Sequence, residues 1–308
     1  MIEYDGRSWL RMLFQLHGSV VPRLLPRMIA CGVVGALAAW LFDARSVKIP
    51  TVAHTILGVA LGLLLVFRTN ASYDRYWEGR KLLGAMINRA RNVVRLAASY
   101  IEDGTDAAAA ARDRTEVRRL VILLFALIRQ YLRKERDLEA LGAPVTPEEK
   151  QALEPVKVRP CLGAEWLSAR IAASARAGRL SEQRLQLLDA DVTAFVDCWG
   201  GAERIMKTPI PFAYAQHIKG FLTLFCFTAP FALVESMHWF TPLVAAVVAY
   251  GMFGIEEIGV EIEDPFGYDP NDLPLDAMSN TVANDTADIL ARSAGALGAG
   301  SADAPRAA

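Results

Sequence analysis

Four polar side chains, His54, Gln216, His217 and Lys219, fall inside otherwise apolar runs. Ionisable groups that converge at such depth are functional suspects, and an intramembrane hydrolase or a transferase acting on lipid would need such a set. The chain has no HExxH, no GxSxG and no phosphate-binding glycine loop around them. Cys31, Cys161, Cys198 and Cys226 lack the pair spacing of a zinc site or a redox CxxC motif, so they read as reduced core residues. No catalytic residue and no confident metal ligand is expected. Two blocks of charge stand out: Arg and Lys crowd 68–95 and acids dominate 256–276, an asymmetry hidden by the formal net charge of −1. The basic block abuts an apolar helix and forms no isolated basic patch, which argues against nucleic acid as a partner.

The elements that must position these groups are helices in lipid. A hydrophobic fraction of 53% and a mean hydropathy of +0.23 are high for a soluble chain of 308 residues. Four runs approach the roughly 20 residues that cross hydrocarbon, at 24–42, 49–67, 211–234 and 239–255. Arg27 sits near the start of the first and can snorkel, and Gln216, His217 and Lys219 interrupt the third. The long segment 68–209 is basic near its start, as is the N-terminal segment with Arg7, Arg11, Arg23 and Arg27. The positive-inside rule therefore places both termini of a multi-pass protein in the cytoplasm.

The segment 68–209 is itself helical in pattern. From Val117 the positions Leu120, Val121, Leu124, Phe125, Ile128, Tyr131 and Leu132 make one apolar stripe, with arginines on the other faces. A second amphipathic helix spans 181–206, with Ser181 as its cap. GAPVTPEE and EPVKVRP read as turns, no strand pattern or repeat is present, and 286–308 reads as a disordered tail. At FRTNASYDRYWEGRKLLG the sequence turns from apolar to charged with no helix breaker. A helix satisfies its own backbone in either solvent, so one continuous helix can leave the bilayer there. Arg68, Arg75, Tyr76 and Trp77 then read as interfacial anchors.

Three blocks, VFRTNASYDRYWEGRKLLG, TPIPFAYAQHIKGFLTLFCFTAPFAL and IEDPFGYDPNDLPLDAM, together resemble the bacterial bestrophin family, over residues 15–285. The resemblance implies an all-α membrane protein, a single channel domain over 1–285 with four transmembrane helices. These continue into a large helical cytoplasmic region, 68–209 and 256–280, and five copies form a ring around one axial pore. It also implies an apolar pore neck at Val59, Leu63 and Phe67, and a cytoplasmic aperture at Ile210. Residues four apart lie nearly above one another on a helix, so five copies would stack three apolar rings. Leu61, Leu64 and Leu65 are equally apolar, and the residue types alone do not separate neck from packing.

In animal bestrophins a run of acids after PFG clasps calcium. Here Pro270 and Asn271 replace two of those acids, which leaves room only for a weak cation site at Asp264, Asp269 and Asp272. That ligand count favours a structural role in which the acids cap turns or bridge subunits, and no cofactor, calcium included, is expected. The implied partners are further copies of the chain, membrane lipid and small monovalent inorganic ions. The family implies chloride, the acids near the cytoplasmic end favour sodium, and the residues leave both open. A membrane-anchored scaffold is the remaining alternative.

Overall fold

The computed structural model describes residues 12–300, with side chains through 294. The described residues contain no strand. They divide into two compact units, residues 12–78 with 208–272 and residues 79–207 with 273–300.

The first unit contains the apolar runs. Helix α1, Val21–Arg45, starts with a proline in its first turn and stops at Ser46, whose φ of 54° is left-handed. Helix α2, Thr51–Tyr100, runs 50 residues without a break, about 75 Å at 1.5 Å per residue, and its first 28 residues, through Glu78, belong to this unit. Its start at Thr51 leaves Ile49 and Pro50 of the expected span outside the helix. Helix α7, Phe212–Met237, and helix α8, Thr241–Glu261, are separated by a 3-10 turn at His238–Phe240, where His238 has a positive φ of 44°. Among the described residues, three stretches are long and apolar enough to cross a membrane: Val21–Arg45, Thr51–Tyr100 and Phe212–Glu261, the last holding both α7 and α8.

The core of this unit joins all four helices through Leu24 and Cys31, Leu61 and Leu65, Ile218, Leu222 and Cys226, and Ala249 and Phe253. Helix α1 meets α8 through small residues. A Cβ on Gly35 would lie 2.7 Å from the Pro242 Cα, so only glycine permits this approach.

The second unit contains the remainder of α2 and helices α3 (Ala107–Leu132), α4 (Pro147–Leu153), α5 (Arg159–Arg176), α6 (Glu182–Lys207) and α9 (Leu275–Gly300). The expected stripe on α3 is buried at Leu120, Val121, Leu124, Phe125, Ile128 and Leu132, and Phe125 stacks near Phe195 of α6 at 6.4 Å. Ser181 caps α6 by accepting the Arg184 N–H. Asp113 of α3 is buried and takes up Arg170, Ser174 and Arg179. Burial alone would raise its carboxyl, but the Ser174 and Arg179 hydrogen bonds and the two guanidinium charges outweigh this and hold it below the usual range.

Three expectations need correction. GAPVTPEE ends in the first turn of helix α4, because Thr146 and Glu149 form a reciprocal capping box in place of a simple turn. Helix α9 continues through Gly300, so the order expected to end at 285 extends 15 residues further; residues 301–308 lie outside the described residues. Cys161 is exposed and Cys198 half-buried, so only Cys31 and Cys226 are core cysteines.

Candidate functional site

Val59, Leu63 and Phe67 recur every four residues on α2 and lie on one side of it. In the single chain they are 71%, 56% and 58% exposed, whereas Leu61 and Leu65 on the same helix are 0% and 1% exposed. Geometry thus separates what residue type could not: Leu61 and Leu65 pack within the chain, and Val59, Leu63 and Phe67 do not. Val52 and Ile56 extend the exposed stripe towards the start of the helix. A second exposed apolar stripe, Leu25, Ile29, Val33 and Leu37, follows α1, and a third, Leu243, Val247 and Tyr250, follows α8.

Immediately after Phe67 the helix changes character. Arg68 is 2% exposed, and its guanidinium donates to Glu263 Oε2 at 2.5 Å and to Ser72 Oγ at 3.0 Å. It cannot reach a headgroup, so its assignment as an interfacial anchor is corrected to a buried ion pair. Arg75 donates to the backbone carbonyls of Glu263 and Thr208, and the Tyr76 hydroxyl donates to the Asn271 carbonyl at 3.1 Å. These two are half-buried and tie α2 to the segment after α8, while Trp77 is exposed.

Ile210 lies in the link between α6 and α7 and is half-buried. Pro209 and Pro211 on either side have no N–H, so Ile210 offers the one backbone donor of this tripeptide, and it donates to Glu263 Oε1 at 3.0 Å. Glu263 therefore holds Arg68 with one carboxylate oxygen and the Ile210 N–H with the other. In sequence Glu263 is one of the acids that dominate 256–276, and nothing there singled out this role. The signal was a lone N–H between two prolines, which demands an acceptor.

The other acids, at the end of α8 and just beyond it, are engaged in the same way. Lys219 lies 3.5 Å from Glu256, Arg27 donates to Glu257 at 2.9 Å, and Arg23 reaches Glu261 at 3.4 Å and Asp269 at 2.8 Å. Asn271 Nδ2 donates to Glu261 Oε1 at 2.7 Å and to the Gly18 carbonyl at 3.1 Å. A block that looks acidic in sequence is largely neutralised by arginines and a lysine from elsewhere in the unit.

The expected weak cation site does not assemble. Asp264 is exposed, Asp269 pairs with Arg23, and buried Asp272 accepts the Asp269 N–H at 2.8 Å. No three His, Cys, Asp or Glu side chains among the described residues converge as a metal ion requires. Burial, aided by the charges of Asp269, Asp264 and Glu261 and opposed by that N–H, pushes the Asp272 carboxyl up to about 6. Nor do the polar residues of the apolar runs meet: His54 stacks on Phe225 at 4.2 Å, His217 lies against Phe221 at 6.2 Å, and Lys219 is taken by Glu256.

The chain matches the family model for bacterial and fungal bestrophin proteins over residues 1–288. It is 37% identical over 291 residues to a voltage-dependent anion channel-forming protein of Nostoc sp., covering 93% of each chain. A protein of the same description from Synechocystis sp. is 36% identical over 286 residues, with 92% of each covered. The crystal structure of a bacterial bestrophin homolog from Klebsiella pneumoniae superposes with a TM-score of 0.78 at 27% identity, covering 89% of this chain and 99% of that one.

Proposed function

The chain belongs to the bacterial/fungal bestrophin family, and we propose that five copies form a ring around one axial pore that conducts small monovalent anions across the bacterial inner membrane. The observation that carries this reading is the exposed stripe of Val59, Leu63 and Phe67. Apolar side chains held off the chain's own core need lipid, another protein or a dry constriction to face. The stripes on α1 and α8 suit lipid, and the one on α2 suits the axis. Five copies of it make a hydrophobic neck that gates by dewetting, since an ion cannot cheaply lose water where nothing replaces it. Four crossings, by α1, the first part of α2, α7 and α8, leave both termini in the cytoplasm. Ile210 forms a second constriction at the cytoplasmic mouth.

Anion selectivity is supported by the description of the relatives and by the pairing of Glu256, Glu257, Glu261, Glu263 and Asp269 with cations. That pairing removes the free acidic ring on which a sodium reading rested. Catalysis has no place in this reading, in which His54 stacks on Phe225, His217 lies against Phe221 and Lys219 pairs with Glu256. The test is the reversal potential of the purified protein in a planar bilayer between unequal sodium chloride solutions. A value near the chloride equilibrium potential is expected. A value near that of sodium overturns anion selectivity, and absence of current overturns the channel reading in favour of a scaffold.

A further inference from the structure

We infer that Glu263 and Arg75 are positioning residues that clamp the aperture segment to the helix carrying the neck; the inference rests on the channel reading above and names what holds its second constriction. Thr208, Pro209 and Ile210 form an irregular link between two helices, and a link flanked by prolines has few backbone groups with which to fix itself. One carbonyl and one N–H of this link are taken by the same structure. Arg75 of α2 donates to the Thr208 carbonyl, and two residues later the Ile210 N–H donates to Glu263 Oε1 at 3.0 Å.

The two clamps are joined to each other. Arg75 Nε also donates to the Glu263 carbonyl at 3.1 Å, and the second carboxylate oxygen of Glu263 is bound by Arg68 at 2.5 Å. Arg68 directly follows Phe67 and Arg75 lies two turns further along the same continuous helix. The side chain that sets where Ile210 stands is therefore anchored to the helix that presents Val59, Leu63 and Phe67. A displacement of that stretch of α2 carries the Ile210 segment with it, and the coupling runs through contiguous hydrogen bonds.

The substitutions follow from reach and charge. Glu263→Asp keeps a negative charge beside Arg68 but is one methylene too short to hold both Arg68 and the Ile210 N–H. Arg75→Lys keeps the positive charge but loses the fork that bonds two carbonyls at once. Glu263→Gln keeps the reach but offers one acceptor oxygen to two donors, Arg68 and the Ile210 N–H, so it too breaks the clamp on one side. The readout is the permeability ratio of thiocyanate to chloride in planar bilayers with the full chain, alongside thermal unfolding of each variant.

Ile210→Ala is expected to shift that ratio. Glu263→Asp, Glu263→Gln and Arg75→Lys should each move it at least halfway to the Ile210→Ala value. Wild-type ratios in both Glu263→Asp and Arg75→Lys, with Ile210→Ala shifted, overturn the clamp and leave these residues a purely structural role. An unchanged ratio in a conducting Ile210→Ala channel overturns the aperture assignment and the clamp with it. Absence of current in the wild type instead overturns the channel reading itself.

Discussion

Arg68 holds a charge in a place almost closed to solvent, one residue beyond an apolar stripe. Such a pair is worth little relative to a hydrophobic replacement, but removing one partner leaves the other stranded. Arg68→Ala should lower stability by about 3 kcal/mol in detergent unfolding, whereas Arg68→Lys should cost less because its charge remains. Asp272 has the opposite sign of pH dependence from most carboxylates. Its folded value of about 6 stands above the 3.8 of an unperturbed aspartate, so the native state binds the proton more tightly. Stability is then fully present below pH 4 and lost as pH rises through 6, by about 3 kcal/mol in total. Asp272→Asn should raise the midpoint of thermal unfolding at pH 7.5 and give no gain at pH 4; an equal gain at both would refute the raised value. Both motif blocks were legible in sequence, but Arg68 and Glu263 lie 195 positions apart, and charge type alone does not choose among several acids. The anchor reading of Arg68 failed for that reason.

The apolar runs were legible as helices because length and hydropathy suffice where the backbone must satisfy itself. The passage of α2 from apolar to charged residues was legible for the same reason. What composition could not give was which face of each helix packs inward. Leu61 and Val59 are alike in type, and only their neighbours separate them. Helix α4 escaped notice because its seven residues carry no periodicity, although its TPEE start is a capping box. The α1 and α8 contact permits a prediction at this scale. Gly35→Ala gains up to about 1 kcal/mol of helix propensity but places a methyl 2.7 Å from the Pro242 backbone. Overpacking of about 1–3 kcal/mol should win, so this variant should unfold at lower temperature than the wild type. Ala at Gly62, which would meet nothing within 4 Å, is the control and should not destabilise.

At the scale of the whole molecule, the account must explain why one chain exposes several apolar stripes. A monomer in lipid would use them all alike, whereas a ring gives α2 a different neighbour from α1 and α8. Replacing Val59, Leu63 and Phe67 together by alanine should widen and wet the neck and raise conductance; unchanged current would remove them from the gate. The number of copies was never legible in residue types, since no single-chain pattern counts its neighbours.

The most direct test of the central claim is modification of cysteines introduced one at a time on the two kinds of stripe. Leu63→Cys and Val33→Cys channels would be exposed to a charged, water-soluble methanethiosulfonate, with the wild type as baseline for its own four cysteines. The account predicts that current through Leu63→Cys changes on modification and that Val33→Cys behaves as wild type. A current change at Val33→Cys with none at Leu63→Cys would place α1 on the axis and contradict the neck.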